Sequence, residues 1–411
     1  MKAVIMAGGF GKRIAELFPD IPKPMIPVCS TPVLEYEINN LREFGITDII
    51  ITVHYRSEKI IGYFGDGKNF GVNISYLTEE NPLGTGGAVW KLQDELQDDF
   101  LLINGDLIFD INFKKLIEFH KNHHALITLT VHPNSHPSDS ELVICHGETV
   151  TDWIKNDGAL HRNIVNAGIH VISGEIFHLL QPSGDIIDLR KDLVLALIET
   201  GRVFAYHTAE YIKDMGTVQR YNEVCRDVET AKVAARRSDK KQKAVFLDRD
   251  GTLNREKGYI VSPDEIELLP GAAEAVHQIN KSGMLAILVT NQPQIARGEL
   301  SFDGLNKIHA KLEYLLSEKS AYLDAVYFCP HHPDKGFRGE VPSLKIDCDC
   351  RKPKDGMLKK AAEEFNIDLS QSYMIGDREK DVAAGIAAGC KKSLMVENGK
   401  NLLDLVKDEI L

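Results

Sequence analysis

The stretch Ala244-Val245-Phe246-Leu247-Asp248-Arg249-Asp250-Gly251-Thr252 decides the fold of the half of the chain that contains it. An unbroken apolar run of this length reads as a strand buried on both faces, and such strands belong to parallel sheets covered by helices. Polarity begins abruptly at Asp248. In open α/β sheets ligands bind beyond the carboxyl ends of the strands, and positions i and i+2 of an extended chain share a face. Asp248 and Asp250 therefore aim two carboxylates at one site.

Downstream the pattern repeats. A helix is expected from Ala272 to Ser282, a strand in MLAILVTN closing at Thr290-Asn291, a helix from Phe302 to Ser317, and a strand YMIGD from Tyr373 to Asp377. Lys352, in CRKPKDGM, and Asp381, in GDREKD, supply a fixed cation and a further carboxylate. Together these stations offer an acidic nucleophile, a proton donor, phosphate-holding groups, a cation and metal-holding carboxylates.

Upstream, ETAKVAARRSDKKQK from Glu229 to Lys243 is polar and basic, and reads as a helix end plus linker. It divides a first domain, 1–228, from a second, 243–411, with 229–242 between them. The first domain alternates β-branched runs with amphipathic stretches: KAVIMAGG, a helical segment from Leu34 to Phe44, DIIITVHY, then SEKIIGYFG. Further strands are expected at 100–103, 125–131 and 167–172, which makes this domain α/β as well. Leu189 to Ile198 reads as core. The tail NLLDLVKDEIL is amphipathic and expected to pack on its own domain, with a homo-oligomer contact as the other use of its apolar face.

With 411 residues, two or three domains are expected. Acidic residues number 60 against 48 Lys plus Arg, a balance of −12 without a long basic run, which argues against nucleic acid as a partner. Hydrophobic residues at 43% and charged residues at 26% exclude disordered and fibrous classes. The apolar start MKAVIMAGGFGKR breaks at Gly8-Gly9 and meets charge at Lys12-Arg13, unlike a signal peptide, and no apolar run of about 18 residues follows. A cytoplasmic protein without a membrane partner is expected.

Of 7 cysteines, Cys329, Cys348 and Cys350 cluster with His331. The hooks Cys329-Pro330-His331 and Cys348-Asp349-Cys350, joined by a loop, suit a closed tetrahedral Cys3His zinc site of structural type, with His332 as the alternative imidazole. Cys29, Cys145, Cys225 and Cys390 read as small, mostly packed residues. His120, His123 and His124, at the end of an expected helix, read as exposed groups favoured by the dipole.

Two glycine-rich loops mark the first domain. Gly8, Gly9 and Gly11 follow a strand and precede Arg13 and Lys23, so backbone N–H groups and two cations can meet a polyphosphate. Asn81-Pro82-Leu83-Gly84-Thr85-Gly86-Gly87-Ala88 opens a helix, and Asn104-Gly105-Asp106 ends the strand FLLI. The order GGFGKR, PKPM, NPLGTGGA, NGD, NAG and DMGT resembles the sugar-1-phosphate nucleotidyltransferases, in particular those that transfer GMP to heptose or mannose 1-phosphate. The resemblance implies a Rossmann-like mixed sheet flanked by helices and in-line attack of a sugar phosphate on the α-phosphate of a nucleoside triphosphate. It also implies that Gly8, Gly9, Gly11, Arg13 and Lys23 hold the triphosphate and that Gly84, Thr85 and Gly86 approach base and ribose. Asp106 and Asp214 would hold Mg2+, and Asn166 and Gly168 would contact the sugar. Lys12 stands where the family has Thr, and Ile154-Lys155-Asn156 stands where a Glu-Lys pair is usual; Lys155 is the candidate for the sugar phosphate.

In the second domain DRDGT, TN, Lys352 and GDREKD resemble the haloacid-dehalogenase-type phosphatases, which implies a Rossmannoid fold with a zinc loop. By that resemblance Asp248 is the nucleophile, Asp250 the general acid and base, and Lys352 the neutralising cation. Mg2+ would sit on Asp248, the Asp250 carbonyl and Asp377, with Asp381 orienting the cluster. The motifs TNQ, IARG and CDCRKPKDGM narrow this to the branch that holds heptose-1,7-bisphosphate 7-phosphatase and histidinol-phosphatase. Glu256, Tyr259, Thr290, Asn291, Gln292, Arg297, Arg351 and Lys352 would then hold substrate. The chain reads Gln292-Pro293-Gln294 where the heptose enzymes have Gln-Ser-Gly, and its loop between the zinc hooks is longer.

Two such domains on one chain imply consecutive steps: removal of the 7-phosphate from heptose 1,7-bisphosphate, then nucleotidyl transfer from GTP to give GDP-D-glycero-α-D-manno-heptose for a bacterial surface glycan. Three alternatives stay open: histidinol-phosphatase activity, a mannose-type substrate, and a nucleotide-binding first domain without turnover.

Overall fold

The computed structural model describes residues 1–9, 14, 17–155, 157–182, 184, 186–396 and 401–411. They gather into two compact units: Met1–His132, Val143–Ile154 and Asn166–Arg237 form one, and Pro133–Leu142, Lys155–Val165 and Ser238–Leu411 the other. The stretch 229–242 begins as folded structure. The helix Val218–Glu229 is followed by a short helix, Lys232–Ala235, and Arg236 and Arg237 are buried. Arg236 donates to the Ala209 carbonyl, and Arg237 pairs with Glu43 at 2.7 Å and Asp110 at 3.2 Å.

In the first unit the strand Lys2–Met6 lies between Asp48–Val53 and Phe100–Asn104, parallel to both. Its interior residues Ala3, Val4 and Ile5 are fully buried, which is why the run is apolar without alternation. Val165–Ile172 pairs antiparallel with Phe100–Asn104, so the sheet is mixed, and among the described residues it counts nine strands. The helix Val33–Glu43 buries Leu34, Ile38 and Leu41, a stripe at helical spacing, against this sheet. Register sets the site: Met6 lies opposite Thr52 on one side and Asn104 on the other. The segments after these strands, carrying Gly8, His54 and Asp106, therefore emerge at one edge. A separate ribbon pairs Leu107–Asp110 with Tyr211–Asp214, antiparallel, with Leu107 opposite Asp214.

Among the described residues the sheet of the second unit has five parallel strands in the order Ala325–Cys329, Leu285–Asn291, Ala244–Leu247, Tyr373–Gly376, Lys392–Met395. Ala244–Leu247 is central and wholly buried. The helix Ala272–Ser282 buries Ala272, Ala275, Val276 and Ile279, and the tail helix Leu402–Glu409 adds Leu402 and Val406 to the same core. No helix among the described residues is long and apolar enough to cross a membrane.

Two expectations need correction. His120 is buried rather than exposed, because the helix Phe113–Asn122 turns it inward, where its Nδ1 lies 2.9 Å from Thr128 Oγ1. Cys29 is exposed rather than packed, since it sits at φ 48° in the tight turn between Pro27–Val28 and Thr31–Pro32.

His170 tests the coupling of this core to pH. On the strand Val165–Ile172 it is buried, its Nδ1 has no hydrogen-bond partner among the described residues, and burial lowers its pKa to about 3. The unfolded value, near 6.5, is higher, so the stability due to the neutral ring is fully present above pH 6.5 and is lost as pH falls toward 3. Each unit of that interval costs up to about 1.4 kcal/mol. His170→Leu is expected to flatten the decline of urea midpoints between pH 6.5 and 4.5; an unchanged slope would show that His170 does not carry it.

Candidate active sites

The acidic site of the second unit is built where two neighbouring strands end and a helix begins. Asp248 follows Ala244–Leu247, and Asp377 follows Tyr373–Gly376. Asp381 lies in the first turn of the helix Glu379–Ala388, where its carboxylate accepts the Arg378 N–H at 3.1 Å. One oxygen from each of Asp248, Asp377 and Asp381 lies within 4.8 Å of the others, a spacing able to hold a metal ion. Burial raises Asp377 to about 6, helped by the charges of Asp248 and Asp381, and burial followed by Asp248 raises Asp381. Asp377 Oδ1 is buried without a hydrogen-bond partner among the described residues, as an oxygen reserved for a cation would be. A hard divalent cation suits these oxygens.

Lys352 is the counter-charge. Its ammonium, fully buried, lies 2.7 Å from Asp248 Oδ1 and 2.6 Å from Asp381 Oδ1, and donates to the Val289 carbonyl at 2.7 Å. Burial alone would lower its pKa, but the two carboxylates outweigh that and raise it. Asn291 holds the backbone of Lys352 from both sides, donating to its carbonyl at 3.0 Å and accepting its N–H at 3.1 Å. Gly251, at φ +82°, passes so close to the Asp377 carboxylate that a Cβ would collide with it.

Asp250 is tethered by Gln292 and by two residues to which the motif reading gave no role, Arg249 and Asn254. Arg249, fully buried, forks onto it with Nε at 3.0 Å from Oδ1 and Nη2 at 2.8 Å from Oδ2. Asn254 donates to Oδ1 at 3.0 Å and Gln292 to Oδ2 at 3.2 Å, and Gln292 also reaches Thr290 Oγ1 at 2.9 Å. Nearby, the Arg297 guanidinium lies 4.5 Å from the ring centres of both Tyr259 and Phe337. Glu256 pairs with Arg378 at 2.6 Å, and Arg351 donates to the His331 carbonyl at 3.2 Å. Lys345, on the long loop between the cysteine hooks, has its ammonium 4.6 Å from the Phe337 ring centre and 3.6 Å from Glu340.

Cys329, His331, Cys348 and Cys350 converge, with ligand atoms within 4.8 Å of one another. Sulfur–sulfur separations are 3.5 Å for Cys329–Cys348 and 3.2 Å for Cys350 to each of the others, and His331 Nδ1 lies 3.3 Å from Cys350 Sγ. A tetrahedron with bonds of about 2.3 Å has edges of about 3.8 Å, close to this geometry. Hydrogen bonds from Cys329, Cys348 and His331 lower the Cys350 thiol to about 5, as a ligating thiolate requires. The same interaction with Cys350, together with burial, raises Cys329. His332 instead lies near Asp334, at 3.6 Å.

In the first unit a cleft of about 370 Å³ is lined by Gly8, Gly9, Lys23, Thr52, His54, Glu79, Leu83, Gly84, Thr85, Asn104 and Asp106, among others. Lys23 and Asp106 form an ion pair. Gly84, at φ +80°, packs on the Ile187 carbonyl, which also accepts the Gly86 N–H at 2.8 Å. Asp214 accepts the Gly216 N–H at 2.6 Å and pairs with Arg220 at 3.0 Å; burial would raise its pKa, but Arg220, that N–H and Lys23 lower it. Glu37, absent from the motif reading, is fully buried and accepts the Leu107 N–H at 3.1 Å beside Asp106; burial raises its pKa well above the carboxylate range. Gly168 packs against the Asn104 side chain, and Asn166 Oδ1 accepts its N–H at 3.3 Å. Lys155 is exposed, 3.7 Å from Glu141, and is not part of the cleft lining. Gly11, Lys12, Arg13 and Asn156 lie outside the described residues.

Residues 2–231 match the nucleotidyl transferase family model, and residues 349–409 match the HAD-hydrolase-like model. A D-glycero-beta-D-manno-heptose-1,7-bisphosphate 7-phosphatase of Haemophilus influenzae is 42% identical over 176 residues, 41% of this chain and 93% of that protein. Its counterpart in Escherichia coli K12 is 38% identical over 157 residues, 38% of this chain and 80% of that protein. A solved structure described as a glucose-1-phosphate thymidylyltransferase of Bacillus anthracis superposes with a TM-score of 0.51 at 22% identity, covering 55% of this chain and 96% of that one, a likeness of fold. The chain belongs to the nucleotidyl transferase family and, through its second domain, to the family of these HAD-like phosphatases. It is a nucleotidyltransferase and a phosphatase in one polypeptide.

Removing the buried ammonium should be costly. Lys352→Met leaves Asp248 and Asp381 facing each other without a counter-charge, and a stability loss of about 3–5 kcal/mol is expected in urea denaturation. Adding Asp381→Asn should restore part of it; a double variant no more stable than the single would refute the pairing.

Proposed function

We propose that the protein catalyses two consecutive steps in making a nucleotide-activated heptose: hydrolysis of the 7-phosphate of D-glycero-D-manno-heptose 1,7-bisphosphate, then transfer of GMP from GTP to the heptose 1-phosphate. The observation that carries this reading is the fusion: a nucleotidyltransferase domain shares its chain with a domain 42% identical to phosphatases named for that bisphosphate. The phosphatase product is a sugar 1-phosphate, the substrate class that such transferases consume. The GMP assignment rests on the motifs of the first domain. A cytoplasmic location suits these substrates and a cluster of free thiols.

In the phosphatase step an Asp248 oxygen attacks phosphorus, the bond to the sugar oxygen breaks, and Asp250 supplies the proton to that oxygen. Water then attacks the aspartyl phosphate, with Asp250 taking its proton, and inorganic phosphate leaves. Because Arg249, Asn254 and Gln292 all donate to Asp250, its carboxylate must exchange those bonds for the substrate during turnover. Lys352 offsets the negative charge that would otherwise repel a phosphate from Asp248. A Mg2+ bound by Asp248, Asp377 and the Asp250 carbonyl would add to that neutralisation. Zinc held by Cys329, His331, Cys348 and Cys350 would be structural, leaving no position for a reactant.

In the transferase step a phosphate oxygen of the sugar 1-phosphate attacks the α-phosphorus of GTP and pyrophosphate leaves, so positioning and charge neutralisation supply the catalysis. Gly8, Gly9 and Lys23 face the triphosphate, Gly84 to Gly86 face base and ribose, and Asn166 and Gly168 face the sugar. Asp106 and Asp214 form a hard-oxygen pair suited to Mg2+.

The test uses the full chain with Mg2+, either anomer of heptose 1,7-bisphosphate, and each nucleoside triphosphate in turn, followed by mass spectrometry. Phosphate should appear first, and GDP-heptose and pyrophosphate only with GTP. Asp248→Asn should abolish phosphate release while sparing transfer to supplied heptose 1-phosphate, and Asp106→Ala the reverse. Release of phosphate from histidinol phosphate in preference to the bisphosphate would overturn the assignment. Metal analysis should find about one zinc per chain, lost in Cys348→Ser together with thermal stability; full occupancy in that variant would exclude the Cys3His site.

A further inference from the structure

The two carboxylates expected to hold a cation in the transferase site are each already matched by a fixed cation. Lys23 pairs with Asp106, and Arg220 Nη1 spans both oxygens of Asp214, at 3.0 Å from each. The register that sets Leu107 opposite Asp214 makes these two pairs neighbours, and Lys23 adds to the field at Asp214. These two pairs set two cationic side chains against two carboxylates.

Arg220 is well placed to change partner. Its backbone is fixed in the first turn of the helix Val218–Glu229, where Thr217 caps the helix and accepts the Arg220 N–H at 3.3 Å. Its guanidinium is carried on a long flexible stem, and the carboxylate it touches is about one-third exposed. A divalent ion on Asp106 and Asp214 would leave a surplus of two positive charges. The ligand that arrives with such an ion at a nucleotidyltransferase site is a polyphosphate, which carries the missing negative charge.

We propose that Arg220 is a phosphate-binding residue of the transferase, held on Asp214 in the resting protein and handed to substrate phosphate when a divalent cation takes that carboxylate. This rests on the reading of Asp106 and Asp214 as the metal-holding pair. It assigns to Arg220 two opposite effects: it competes with the metal alone and cooperates with metal plus phosphate. An arginine that merely closed a structural ion pair would not show both.

The experiment uses the full chain carrying Asp377→Asn, to weaken the divalent site of the other unit, with and without Arg220→Met. Calorimetric titration with Mn2+ alone should show binding about two- to fivefold tighter in the Arg220→Met protein, since the competing cation is gone. Titration with inorganic tripolyphosphate in saturating Mn2+, a probe indifferent to the base, should show binding about tenfold or more weaker. Arg220→Lys should fall between on both scales, and the melting temperature should hold within a few degrees. Mn2+ affinity unchanged or weakened in Arg220→Met, or tripolyphosphate affinity unchanged, would overturn the proposal. Asp214→Asn separates the two layers: if it leaves Mn2+ binding intact, the metal-pair reading itself fails and Arg220 falls with it.

Discussion

Carboxylates can be crowded into a protein interior only if cations are buried among them, and the Lys352 ammonium between Asp248 and Asp381 is the contact on which the phosphatase site depends. A buried ion pair is a poor source of net stability, because desolvation consumes much of what attraction returns. Its value here is positional. The ammonium fixes Asp248 at the end of one strand relative to Asp381 at the start of a helix, and Asn291 fixes the lysine backbone in turn. Asp377 has Arg378 3.6 Å from Oδ2, while its Oδ1 has no hydrogen-bond partner among the described residues, and burial with the neighbouring carboxylates raises its pKa to about 6, the setting of an oxygen that a divalent cation would complete.

Much of this was legible in the sequence because strand ends are where chemistry and local pattern coincide. An apolar run that stops at a carboxylate reports both the strand and the site, as at Leu247-Asp248 and Gly376-Asp377. The helices Ala272–Ser282 and Phe302–Ser317 follow from periodicity with their boundaries intact. The cysteine hooks carry their own spacing, and the loop between them needs only to close.

What stayed hidden depends on partners far apart in sequence. Glu37 is a plain helical glutamate until the fold brings it against Leu107, 70 positions away in sequence, and removes the water around it. His54 and Glu79 reach the cleft because parallel strands share a register, which no window of sequence contains. Arg249 looks like a spacer between two aspartates, yet its guanidinium is the principal tether of Asp250. His120 deceived for the converse reason: the helix end was read correctly, but which face turns inward is decided by the sheet it packs on, where Thr128 supplies a partner.

The two sites solve one problem, meeting a phosphate with a surface full of carboxylates, by different degrees of burial. On the proposed mechanism the Asp248 carboxylate itself attacks, so its charge has to be neutralised by groups that cannot drift, and Lys352 is sealed from solvent. In the proposed transfer no protein atom bonds to phosphorus, and the carboxylates would serve only as ligands. There the carboxylates are part-exposed, Asp106 at the cleft wall beside Lys23 and Asp214 beside Arg220. Exposure weakens each pair, and a weak pair is one that an incoming ligand can exchange. On these proposals covalent chemistry accounts for the rigid, dry cluster, and ligand exchange for the looser one.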